Sequence, residues 1–290
     1  MAVAGPVATR YHADRQEMEG HTMALIRPAA VAGMFYPGDR QGLAQSVAGF
    51  VNDAAKRAGI GPNSPIVKAV IAPHAGYVYS GACAGEAYAR LLPGRDAVTR
   101  VVLMGPCHRV ALRGLATTAA DLWQTPLGSV PIDREALDGL SDLPQVFAHD
   151  AAHKQEHSLE VHLPFLQTVF PKMKLVPFAV GQASAEDVAA VLDRLWGGPE
   201  TRIVISSDLS HFLDYDACNA LDAKTADAVE RFDYAAIGRD QACGRIPMSG
   251  LLKLAPEKHL SIERVGLCNS GDTAGDKGRT VGYGAWVFRA

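Results

Sequence analysis

The stretch Arg100-Val101-Val102-Leu103-Met104-Gly105-Pro106-Cys107-His108 decides the fold class. An apolar run of strand length stops at a Gly-Pro pair, and a histidine follows at once. The same grammar recurs on either side. Ile66–Ile71 is a buried-strand run that leads through Ala72-Pro73 to His74, and Arg202–Ser206 leads through Ser207-Asp208-Leu209-Ser210 to His211. Runs that are mostly apolar, without polar alternation, fit strands covered on both faces. In an open α/β sheet the turn after such a strand is the rim on which a ligand cleft lies.

Outward from these runs, strand and helix patterns alternate. Leu43–Ala58 has helical spacing through Leu43, Val47, Phe50, Val51 and Ala54. Gly81–Leu92 reads as a helix of small residues, and Leu175–Val180 as a further strand. Ser184, with Glu186 and Asp187 in an acidic first turn, opens a helix that runs to about Trp196. Ala217–Arg231 and Tyr234–Cys243 are predicted helices, and Leu260–Cys268 and Val281–Phe288 are predicted strands. The expectation is a single α/β domain over 25–290, with a central mainly parallel or mixed sheet flanked by helices. Residues 1–24 are polar and aperiodic and read as a flexible tail, so His12 and His21 receive no site role. Val31–Gly38 reads as a packed loop ahead of the first helix.

Composition excludes several function classes. A chain of 290 residues that is 48% hydrophobic buries a large core. The net charge of -3 and the lack of a dense Lys/Arg run give no footprint for nucleic acid. Cysteines at 83, 107, 218, 243 and 268 are odd in number and form no close pair, which fits a reducing cytoplasm better than a secreted disulfide framework. No apolar run reaches membrane-spanning length, so no membrane partner is expected. The oligomeric state stays open, a homodimer included.

Chemistry-bearing residues gather in a few segments. His74 and His108 sit among small residues that let a ligand approach, and imidazole binds metals or moves protons near neutral pH. Asp208 and His211, three apart, share a face if the turn is helical. The carboxylate would then orient the ring as a general base. Glu156, His157, Glu160 and His162 form a second cluster that lacks the His-Glu-x-x-His order of a zinc helix. They read as residues that support the metal or touch substrate, and Tyr77 and Arg245 join them. Cys243, flanked by Gly244 and Arg245, is a soft ligand or a nucleophile. Asn269–Gly278 is turn-rich but lacks phosphate-loop spacing, and reads as a rim loop.

With these residues in hand, the chain resembles the MEMO family, in particular its prokaryotic branch, from about residue 25 to 290. The likeness rests on Ala72-Pro73-His74-Ala75-Gly76-Tyr77, Gly105-Pro106-Cys107-His108, Glu156-His157-Ser158-Leu159-Glu160-Val161-His162-Leu163-Pro164, Ser206-Ser207-Asp208-Leu209-Ser210-His211 and Cys243-Gly244-Arg245-Ile246-Pro247. The resemblance implies a fold related to class III extradiol dioxygenases. It also implies a pocket lined by His74 and His108, Cys243 as third ligand-like group, His211 as acid–base residue, and one bound iron or copper. Extradiol enzymes use two His and a carboxylate, so a cysteine in third place is a departure. Three functions are weighed. The first is a metal-dependent oxidoreductase or dioxygenase acting on a catechol-like small molecule. The second is a non-catalytic module for a metal, peptide or small ligand, and the third a Cys243-dependent hydrolase.

Overall fold

A computed structural model describes residues 23–290. Most of the expected tail, with His12 and His21, lies outside the described residues. The strands are β1 (Ile26–Arg27), β2 (Ala69–Ala72), β3 (Arg100–Pro106), β4 (Leu115–Thr117), β5 (Leu122–Thr125), β6 (Gly128–Pro131), β7 (Val146–Ala148), β8 (Lys174–Val180), β9 (Thr201–Ser206), β10 (His211–Leu213), β11 (Ser261–Asn269) and β12 (Thr280–Arg289). The helices are α1 (Arg40–Arg57), α2 (Tyr77–Ala89), α3 (Arg134–Asp138), α4 (Asp150–His153), α5 (Leu163–Val169), α6 (Ala185–Arg194), α7 (Tyr215–Glu230) and α8 (Arg245–Glu257).

The main sheet runs β10-β12-β2-β9-β3-β8-β4-β7, with β11 paired to β12. Its centre is parallel: β2 pairs with β9, β9 with β3 and β3 with β8. Antiparallel pairing brings in β12 on one side and β4 on the other, so the sheet is mixed, as expected. The central strands are buried along nearly their whole length, which explains why they carry no polar alternation. A smaller sheet, β1-β5-β6, stands apart.

Helices cover the sheet because each hides one stripe. Helix α1 buries Leu43, Val47, Val51 and Ala54, and Asp39 caps it by accepting from the Gly42 N–H. It packs on α2, where a Cβ on Gly85 would stand 2.8 Å from the Phe50 carbonyl oxygen; only glycine permits that approach. Ser184 and Asp187 form a reciprocal capping box at the start of α6. The loop at 31–38 is packed, with Val31 and Tyr36 buried.

One sequence expectation fails near the carboxyl end, and one helix was not expected. Tyr234–Cys243 is not a helix; one tight turn at Tyr234–Ala236 is followed by turns that include the exposed Gly238. The helix lies instead at Arg245–Glu257, a segment whose prolines disguise it. Pro247 falls in the first turn, where a missing N–H costs nothing, and Pro256 in the last. Among the described residues, no helix is long and apolar enough to cross a membrane.

A buried ion pair fastens the chain's early segment to the body. Arg27 Nη1 donates to Glu160 Oε2 at 2.7 Å, and both side chains are almost wholly buried. Glu160 also accepts from the Ala30 and Val31 N–H groups and from the Tyr36 hydroxyl, so its lone pairs are well used. Removing one charge strands the other. We therefore expect E160Q to lose about 3–5 kcal/mol in urea unfolding while still binding metal; an unchanged midpoint would contradict this structural role.

Candidate metal centre

The parallel strands β2, β9 and β3 lie side by side, so the turns after them meet at one rim. His74 follows β2, Ser207 and Asp208 follow β9, and His108 follows β3. A ring nitrogen of His74, of His108 and of His157 all lie within 4.8 Å of one another. The ring centroids are 5.3 Å apart for His74–His108, 5.4 Å for His74–His157 and 4.7 Å for His108–His157. His74 is buried, His157 half-buried and His108 exposed, which makes a centre that opens to solvent on one side.

Hydrogen bonds fix which nitrogens face inward. Ser206 spends its one hydroxyl proton on the Ser158 carbonyl at 2.6 Å, so the 2.6 Å contact with His74 Nδ1 requires that Nδ1 carry the proton. Nε2 of His74 therefore keeps its lone pair. At His108, Nδ1 donates to Glu156 Oε1 at 2.9 Å, which again leaves Nε2 free to bind. The Glu156 carboxylate also accepts from the N–H groups of His108, His157 and Ser158. Burial alone would raise its pKa, but His108 and these N–H groups overcome it and hold the carboxyl at about 2.

Burial, reinforced by the neighbouring imidazoles, keeps His74 well below its usual pKa. His157 is lowered to about 4, mainly by burial. At neutral pH both are uncharged, the state a metal needs. The Nδ1 of His157 is buried with no hydrogen-bond partner, 3.4 Å from Glu156 Oε1. Neutral rings with oriented lone pairs and an orphaned buried nitrogen fit a metal ion.

The other candidates fall into place around this group. Cys243 Sγ lies 3.4 Å from His74 Nε2, yet the cysteine stands outside the three-histidine set. Burial pushes its thiol far up, so without metal it is a neutral donor to His74. Its position depends on Gly244, where a Cβ would sit 2.3 Å from the Ser206 carbonyl oxygen. Asp208 does not orient His211. Its Oδ1 accepts from the His74 N–H at 2.7 Å, and burial raises its pKa to about 7 against the bonds from His74 and Ala75. His211 instead donates Nδ1–H to the Leu209 carbonyl at 2.8 Å, leaving Nε2 as the basic nitrogen. Burial lowers its pKa, and it is followed by Phe212 at a left-handed φ of 64°.

Three further candidates stand behind the centre. Tyr77 donates its hydroxyl to the Val161 carbonyl, Glu160 serves the Arg27 pair, and His162 Nδ1 meets the Tyr88 hydroxyl at 2.8 Å. Arg245 lines the adjoining cavity with Cys243. The rim loop after β11 is pinned by Asn269 and Asp272, which cap one another.

Comparison with known proteins gives one consistent answer. Residues 27–287 match the family model described as Memo-like protein. A MEMO1 family protein of Archaeoglobus fulgidus is 34% identical over 276 residues, covering 91% of this chain and 100% of that protein. A MEMO1 family protein of Aquifex aeolicus is 33% identical over 277 residues, covering 91% and 99% respectively. One of Thermotoga maritima is 32% identical over 277 residues, covering 89% and 98%.

Two predictions follow from the ionisations. His153 and His162 are held by burial at about 4 and about 3, whereas the unfolded chain takes up those protons near 6.5. Protons thus favour the unfolded state as pH falls below 6.5, at up to about 1.4 kcal/mol per pH unit for each. Asp208 and Asp222, both raised by burial, work in the opposite sense, but the five lowered histidines outnumber them. The histidine contribution to the unfolding free energy of metal-free protein should be flat above about pH 7.5, and the total should fall between about pH 6.5 and 4; a rise over that lower window would refute the assignment. Separately, E156Q should weaken metal affinity about 10–100-fold in a chelator competition. Unaltered affinity would show that Glu156 does not hold the ligands.

Proposed function

The chain belongs to the Memo-like protein family, and from that membership and its three-histidine group we propose that it is a metal-dependent oxidoreductase holding one iron or copper ion. The observation that carries the reading is the convergence of His74, His108 and His157, each neutral or made a lone-pair donor by its surroundings. When bound, such an ion supplies Lewis acidity and one-electron chemistry.

The protein's own groups supply the rest. Glu156 and Ser206 set the ring tautomers, so lone pairs and not N–H groups point at the centre. His211, with Nε2 as its free base, takes or returns a substrate proton at the open side. Cys243 places a reducing thiol beside His74. A cavity of about 580 Å³, walled in part by Cys107 and Cys243, has room for a small aromatic substrate. The donor set departs from the two-histidine, one-carboxylate triad of extradiol enzymes, because Glu156 is engaged in holding the histidines. A dioxygenase acting on a catechol-like molecule is thus the narrower form of the proposal. We set the protein in the cytoplasm, where its five free thiols stay reduced.

Elemental analysis of anaerobically purified protein should give about one iron or copper ion per chain. H74A, H108A and H157A should each lose it, while C243S retains it. Oxygen uptake with a catechol panel should then appear in wild type and fall at least tenfold in H211A. A fully loaded protein that turns over nothing would instead mark a metal-binding module, and metal retained in the histidine variants would refute the centre.

A further inference from the structure

The cavity beside the three histidines has a wall chemistry that the metal centre does not explain. Arg113, Arg239 and Arg245 all line it, together with Gln182, and no Asp or Glu does. Among the described residues none of the three guanidinium groups has a side-chain hydrogen bond or ion pair, whereas Arg27, Arg57, Arg90, Arg100, Arg194, Arg264 and Arg289 all pair with carboxylates. Three cations around one concavity without counter-charge repel one another and lower stability. An anion entering the cavity relieves that repulsion.

The walls are placed by the fold. Arg113 is held opposite Gln182 by a backbone bridge, with the Gly114 N–H donating to the Gln182 carbonyl. Arg245 is the first residue of α8, a thirteen-residue helix without a side-chain cap, and Arg245 and Ile246 bring its positive amino end to the cavity wall. Arg245 is half-buried, while Arg113 and Arg239 are exposed at the mouth. The floor is the chemistry already described. Cys243 lines the cavity with its Sγ 3.4 Å from His74 Nε2, and Pro106 and Cys107 directly precede His108.

We propose that this cavity binds a small molecule through a carboxylate or phosphate group, with Arg245 as the inner anchor and Arg113 and Arg239 guarding the mouth. Planar guanidinium groups suit such oxyanions through paired N–H donors. The anionic end is held at the arginines, and the rest of the molecule extends toward Cys243 and the histidines. Naming this anion the substrate rests on the metal-centre reading above; its binding does not.

The test uses matched probes: benzoate against benzamide, and phenyl phosphate against phenol, titrated calorimetrically into metal-loaded and metal-stripped protein. Each anion should bind at least tenfold more tightly than its neutral twin, in both forms of the protein, and the advantage should shrink as salt rises. R245Q should remove most of the advantage, and R113Q and R239Q, both at exposed positions, should each reduce it several-fold without lowering the thermal unfolding midpoint. The benzoate and phenyl phosphate arms tell which oxyanion the cavity prefers. Equal binding of anions and neutral twins, or an advantage that survives in the triple variant, overturns the proposal. A protein that binds no metal yet keeps the preference refutes only the metal centre.

Discussion

One buried carboxylate organises the site. Glu156 accepts from the backbone and ring of His108 and from the N–H groups of His157 and Ser158, and so fixes two of three converging histidines at once. A carboxylate taken out of water is tolerated only when its lone pairs are used in this way. The cost of burying it is offset by bonds that also set the ring orientation. The third histidine is fixed separately, through Ser206 at the end of β9. The ring tautomers of His74 and His108 are thereby set before any ligand arrives, which is the preorganisation a metal site needs.

The sheet makes that arrangement possible. Three parallel strands in the order β2-β9-β3 deliver three turns to one rim, and their carboxyl ends stand about one strand spacing apart. The helices around them close the core and add two further groups at the same rim. Gly244 lets the chain press against the Ser206 carbonyl and sets Cys243 next to His74. The α8 that follows turns its amino end, and Arg245, toward the adjoining cavity. Metal-binding and anion-attracting features are therefore neighbours because one strand–turn–helix junction supplies both.

The α/β fold, with its mixed sheet, was legible in the sequence because β3, β8 and β9 carry apolar stretches (Val101–Met104, Leu175–Val180 and Ile203–Ile205) and lead into turn residues. The family was legible in motifs such as Gly105-Pro106-Cys107-His108. Strands β4 to β7, three or four residues each, carry too little pattern to be seen; they exist because β8 and one another pair with them. Helix α8 was hidden by its prolines, and the turns before it resembled a helix in spacing alone. His157 shows the limit most clearly. Its spacing from His153 and Glu160 invites a helical reading, but it lies in the turn between α4 and the short turn at Glu160–His162, where its backbone N–H is bonded to Glu156. The pairing expected between Asp208 and His211 fails for a similar reason, since a nearby backbone N–H on His74 claims the carboxylate first.

The central claim concerns which atoms meet at the centre, and X-ray absorption of the metal-loaded protein reads them directly. The account predicts three imidazole nitrogens at about 2.0–2.1 Å, as metal–histidine bonds require, and a metal signal that is lost in H157A. Two imidazoles with a sulfur at about 2.3 Å, unchanged by that substitution, would contradict it and return the third place to Cys243.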